Sequence, residues 1–233
     1  MVNDDELMSR FDDIEVSTTR KVPICLVLDI SGSMGDRDGT RLTKIEELNK
    51  NYKDFLNFVR TDKRAGAICD LSVITFGHEV TVVNGYSNIE SIRETKFTAN
   101  GPTPMGAAMK KALNLLELRR THYKDKGIEY YKPIIILMTD GEATDDYKEA
   151  AEEVSKKVKL KSGNIKVLPF IIGQNNRSQA LAAFSPEYPP KPIRSSDDFK
   201  QLFLLLSTSL LKPADDPWQK WMNGNGEGEG ESI

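Results

Sequence analysis

Two segments of this chain run apolar without interruption and stop at an aspartate: "VPICLVLD", ending at Asp29, and "KPIIILMTD", ending at Asp140. Each is too short for a helix and rich in branched residues. A run that does not alternate polar with apolar marks a strand covered on both faces, the situation of a parallel sheet enclosed by helices. "AICDLSVITFG" (67–77) and "IKVLPFIIG" (165–173) read as strands of the same sheet, while "EVTVVNGY" (79–86) alternates like an edge or half-exposed strand after a turn at Gly77 and His78.

Helical patterns fill the intervals. In "RLTKIEELNKNYKDFLNFVR" the apolar positions Leu42, Ile45, Leu48, Tyr52, Phe55, Leu56 and Val59 fall on one face. A second helix begins at Pro104, a residue favoured in the first turn, with Met105, Ala108, Ala112, Leu115 and Leu116 facing the core. "DYKEAAEEVSKKVKL" and the short "SQALAAF" follow. A proline-rich connection, "SPEYPPKP", leads to the last helix, "SDDFKQLFLLLSTSLL", with Asp197 and Asp198 at its positive end. Strands alternating with helices predict an α/β fold, doubly wound, with helices on both faces of a mostly parallel sheet. No internal repeat occurs.

Composition sets outer bounds. With 233 residues and 39% hydrophobic content, there is enough chain for one well-buried domain with flanking arms. Residues 1–20 read as an acidic N-terminal arm, 21–212 as the domain, and 213–233 as a flexible Gly/Glu-rich tail carrying Trp218 and Trp221. Those tryptophans either dock back on the domain or form a short partner-binding motif. A net charge of -3 argues against a general nucleic-acid binder. The lysines of 156–166 read as a solvated helix end. Cys25 and Cys69 lie in strand-like runs and read as core filler in a reducing compartment. The longest late apolar stretch, 202–211, is about half the length a bilayer requires. With no signal-like N-terminus, the expectation is a cytoplasmic protein without membrane contact.

The chemistry gathers in three loops. Ligands of open parallel sheets bind beyond the carboxyl ends of the strands, where the strand order reverses. Asp29 and Asp140 close two strands. "DISGSMG" adds Ser31 and Ser33, and "TANGPTPMG" adds Thr103. If the first and fourth strands are neighbours, these five residues converge. All offer oxygen and none is His or Cys, which suits a hard cation such as Mg²⁺, with Mn²⁺ as an alternative, and not zinc or copper. His78 and His122 read as surface or capping residues.

These loops resemble the Asp-x-Ser-x-Ser signature and the second and third metal loops of the von Willebrand factor A domain, with its metal-ion-dependent adhesion site. The likeness spans about residues 22–211. More narrowly, "LSVITFG", "TPMGAAMKKAL", "GIEYYKPIIILMTDGEATD" and "IKVLPFIIG" resemble the bacterial tellurium-resistance-associated, TerY-like proteins. The resemblance implies a Rossmann-like sheet ordered 3-2-1-4-5-6 with one antiparallel edge strand. It also implies a metal held closest by Ser31, Ser33 and Thr103, with Asp29 and Asp140 acting largely through water or hydrogen bonds. Relatives in the narrower group are associated with protein kinases and PP2C-type phosphatases, and with stress or defence systems of bacteria and phages. Between Ser33 and the first helix, "MGDRDGTR" departs from the group's compact loop. Asp36 and Asp38 there read as a solvated turn, with a second cation or a partner-recognition element as the alternative.

An ion ligated mainly by neutral hydroxyls keeps much of its charge and gains from one further anionic oxygen. An Asp or Glu of a protein partner can supply it. Catalysis would need a nucleophile and base beside the metal, and no such pair is visible. The expected function is therefore a metal-dependent protein-binding module, not an enzyme. The alternatives are a metal-dependent hydrolase or phosphoesterase, and a structural domain with no metal-bridged partner.

Overall fold

The computed structural model describes residues 19–37, 39, 41–159, 165–173, 178–211 and 222. Nearly all of the expected arm, Asp38, residues 160–164 of the lysine-rich stretch, and Trp218 and Trp221 lie outside them. The one described residue of the expected tail, Met222, is buried in the core.

In chain order the elements are β1 (Val22–Asp29), α1 (Lys44–Thr61), α2 (Lys63–Ile68), β2 (Cys69–Phe76), β3 (Val80–Asn88), α3 (Met105–Lys126), β4 (Ile134–Thr139), α4 (Lys148–Lys159), β5 (Lys166–Ile172), α5 (Gln179–Ala183), β6 (Lys191–Ile193) and α6 (Ser196–Leu211). The six strands form one sheet in the order β3-β2-β1-β4-β5-β6. Among the described strands only β3 runs antiparallel, paired with β2 at the edge.

β1 explains why its sequence does not alternate. Ile24, Leu26 and Leu28 enter one core with α1 and α6, while Cys25 and Val27 enter the other with α3, α4 and α5. Both sides of the strand are dry, so neither tolerates a polar residue until the strand ends. β4 repeats the arrangement, with Ile134, Ile136 and Met138 on the first side and Ile135 and Leu137 on the second.

Two elements escaped the sequence pattern. The helix α2 takes Ala67 and Ile68 from the expected start of β2, because Asp62 caps it by accepting from the Ala65 amide at 2.8 Å. The strand β6 lies at the end of the proline-rich connection and pairs with Phe170–Ile172 of β5. Pro192 has no amide hydrogen to donate, which an outermost strand tolerates. Pro104 is the cap of α3 and not part of its first turn.

β1 pairs with β2 on one side and β4 on the other, so the order of strands reverses between β1 and β4. Leu28 lies opposite Met138, so the register sets Asp29 beside Thr139, with Asp140 one residue further along at the carboxyl edge.

Candidate metal centre

At that edge the chain turns sharply after Asp29. Both carboxylate oxygens of Asp29, which is fully buried, are engaged: the Ser31 amide donates to Oδ1 at 2.6 Å and the Thr139 hydroxyl to Oδ2 at 2.5 Å. Burial, only partly offset by the hydrogen bonds from Ser31 and Thr139, pushes its pKa up to about 6. A short 3₁₀ turn over Gly32–Gly35 then brings the two serines round, with Ser31 Oγ and Ser33 Oγ 3.2 Å apart. Ser33 Oγ donates to Asp140 Oδ1 at 2.7 Å. Asp29, Ser31, Ser33 and Asp140 thus form one continuous cluster.

Thr103 reaches the same edge through its backbone. The Gly32 amide donates to the Gly101 carbonyl at 2.9 Å, and the Asn100 amide to the Ile30 carbonyl at 2.7 Å, tying the second loop to the first. The Thr103 amide donates to Thr144 Oγ1 at 3.0 Å, and its carbonyl accepts from the Thr144 amide at 2.9 Å. Thr103 is buried, and its side-chain hydroxyl makes no hydrogen bond with the other four among the described residues. The close approach of these loops depends on glycine. A Cβ at Gly101, where φ is +86°, would stand 2.3 Å from the His78 nitrogen.

The third loop, "DGEATD", acts as a brace. Asp145 caps the start of α3, accepting from the Gly106 amide at 3.0 Å and the Ala107 amide at 2.8 Å. Glu142 does the same for α5, accepting from the Gln179 amide at 2.8 Å and the Ser178 hydroxyl at 3.2 Å. Sequence reasoning used this loop only for Asp140.

It also missed Lys44. The first residue of α1 extends its ammonium into the cluster, 2.8 Å from Asp140 Oδ2 and 3.3 Å from the Ser33 carbonyl. A signal was present. Thr43 and Glu46 form a capping box that starts α1 at Lys44. A cation at that position opposes the helix dipole, so its presence there calls for a partner elsewhere.

The two histidines differ in burial. His78 is exposed at its turn, as expected. His122 is buried, contrary to the surface placement expected, because it shares the inward face of α3 with Arg119 and Tyr123. Asp36 is exposed.

The donor set fits a hard cation. Its side chains present hydroxyl and carboxylate oxygens only, and among the described residues no three His, Cys, Asp or Glu side chains converge as a softer or more acidic site would require. No described helix is long and apolar enough to cross a membrane.

Known proteins carry the same fold. Proximal thread matrix protein 1 from the mussel byssus superposes with a TM-score of 0.56 at 17% identity, over 81% of this chain and 45% of that one. The SpaC pilus adhesin of Lactobacillus rhamnosus GG gives 0.61 at 16% identity, over 84% of this chain and 31% of that one. The manganese-loaded TRAP protein of Plasmodium vivax gives 0.51 at 20% identity, over 83% and 73%. The mussel protein is also known with a zinc-occupied MIDAS motif. The chain spans under half the length of the mussel protein and about a third of the adhesin. No curated protein sequence matches it. The family model of the von Willebrand factor type A domain matches residues 24–207, from β1 to the last helix, and the chain belongs to that family.

Proposed function

We propose that this chain is a metal-dependent protein-binding module in which Asp29, Ser31, Ser33, Thr103 and Asp140 form the metal site. The observation that carries the reading is the Asp29–Ser31–Ser33–Asp140 hydrogen-bonded cluster at the point where the sheet reverses its strand order. A bound Mg²⁺ or Mn²⁺ would supply a coordination position for an anionic oxygen of the partner.

The residues divide the work. Both oxygens of Asp29 are occupied, by the Ser31 amide and the Thr139 hydroxyl, so Asp29 orients the first loop and contributes charge from behind it. Ser31, Ser33 and Thr103 offer hydroxyls as direct donors. Asp140 holds Ser33 in place and contributes the second negative charge. Such a set under-neutralises a divalent ion, which favours recruitment of an Asp or Glu from a protein partner. The metal-loaded and adhesin relatives support this reading by analogy.

The chain is not an enzyme in this reading, because the serine hydroxyls of the cluster bond each other and Asp140 and are not paired with a histidine base. The narrower resemblance to TerY-like proteins supports a cytoplasmic role in a bacterial or phage stress, signalling or defence system. A protein kinase or PP2C-type phosphatase is the partner it suggests. The buried, free Cys25 and Cys69 suit a reducing compartment.

Capture of partners from native extract in Mg²⁺ and in EDTA tests the function. The partner should be retained only with metal, and Thr103→Ala should reproduce the loss seen in EDTA. A partner held equally in EDTA and by the Thr103→Ala protein would show that no metal bridges the contact.

A further inference from the structure

Lys44 occupies an unusual place: its ammonium is paired with a residue of the proposed metal site. The pair is sheltered, with the Lys44 side chain 13% exposed and that of Asp140 1% exposed. A divalent ion beside Asp140 would meet this fixed positive charge, so the two cations oppose each other at one carboxylate.

A second observation shows where the lysine could go. Glu47 lies three residues further along α1, on the same side of the helix, and is 8% exposed. Its Oε1 accepts from the Ser196 hydroxyl at 2.7 Å, but its Oε2 is buried with no hydrogen-bond partner among the described residues. Lys44 and Glu47 line one cleft together with Ile172, Ile193, Ser196 and Phe199. Lys200, a cation that feels the charge of Glu47, is bonded instead to Asp197 at 2.8 Å. A buried carboxylate oxygen without a donor is costly, and a neighbouring ammonium in the same cleft would satisfy it.

We infer that Lys44 is a tethered counter-cation with two stations, Asp140 when the site holds no metal and Glu47 Oε2 when it does. The inference rests on the metal-site reading above. The flexible four-carbon stem lets the ammonium move while α1 stays still. In the first station it neutralises Asp140 and holds the Ser33 carbonyl, keeping the loops assembled without an ion. In the second it leaves Asp140 to the metal and fills the vacant hydrogen bond of Glu47. Lys44 therefore sets how weakly the free module holds its ion, and Glu47 offsets part of that opposition.

Calorimetric titration of the full chain with Mn²⁺ tests this, using Lys44→Met, Glu47→Gln, the double variant and Ser31→Ala/Ser33→Ala. Lys44→Met should bind Mn²⁺ about tenfold more tightly than the parent. Glu47→Gln, which keeps an acceptor for Ser196 but loses the charge, should bind a few-fold more weakly. In the Lys44→Met background the Glu47 substitution should have no further effect, since the lysine it serves is gone. Unchanged or weaker binding by Lys44→Met overturns the inference, as does a Glu47 effect of undiminished size in the double variant. If Lys44→Met does not fold, Lys44→Gln is read by the same criteria. Failure of the underlying site looks different: the parent binds no Mn²⁺, or the double serine variant binds it as well as the parent.

Discussion

The two ends of the sheet bury carboxylates in opposite ways. At the amino end, Asp70 of β2 lies under a complete shell. Arg119 of α3 donates to it twice, at 2.6 and 2.9 Å, the Tyr123 hydroxyl bonds it as well, and all three side chains are inaccessible to solvent. At the carboxyl end, Asp29 and Asp140 are also buried, but their neighbours are hydroxyls, the Ser31 amide and one lysine on a flexible stem. A guanidinium locked bidentately onto a carboxylate leaves no capacity for a ligand. Serine hydroxyls can turn and an ammonium can swing, so the second cluster can exchange partners. The comparison teaches that burial of a carboxylate does not mark a site. What separates the two ends is how readily the groups around the carboxylates can change partner.

The sharpest way to break this contrast is at the closed end. Arg119→Met should leave Asp70 buried without its guanidinium and cost about 3–5 kcal/mol. Urea unfolding should show the same loss with Mg²⁺ or with EDTA, because the cluster stands at the far end of the strands. A loss that metal repaired would mean that the two ends are coupled. Changing both partners to apolar residues should recover much of the stability.

Between the ends in magnitude comes Gly101→Ala. The positive φ and the close approach to His78 should cost about 1–3 kcal/mol and shift the loop that carries Thr103. Unlike the change at Arg119, it should also weaken Mn²⁺ binding, read by calorimetry. Retained stability and affinity together would show that the two loops can part without consequence.

The smallest effect on stability belongs to the open end. Ser31→Ala/Ser33→Ala removes part-buried hydroxyl contacts at the edge and should cost no more than about 1 kcal/mol per serine in EDTA. Mn²⁺ binding should nonetheless disappear. Thermal melts with and without Mn²⁺ check both halves, since the parent should gain stability from the ion and the variant should not. A variant that melts far below the parent without metal would mean that the serines are structural, and the contrast between the ends would fail.

Much of this was legible in the residues. The apolar runs ending at Asp29 and Asp140 announced central strands, because only a strand covered on both faces can exclude polar residues for its whole length. The oxygen-only loops followed from composition at the strand ends, and the structure joins Asp29, Ser31, Ser33 and Asp140 by hydrogen bonds. β6 was hidden because three residues around a proline carry no periodicity. His122 was misplaced because its charged neighbours suggested solvent, whereas Arg119 beside it is itself buried by Asp70.

Sequence by itself determined the α/β alternation, the faces of the helices and the inventory of oxygen donors, since these depend on local pattern and on residue chemistry. Only the tertiary structure decided which carboxylate is closed by an arginine and which meets a lysine. Lys44 stands at a capped helix start and Arg119 well inside α3, but neither position says which carboxylate the cation will meet. Asp70 lies 49 residues from Arg119 and Asp140 lies 96 from Lys44. Each pairing exists only because parallel strands and the helices between them bring distant segments to the same end of the sheet, where a charge taken out of water must find its partner.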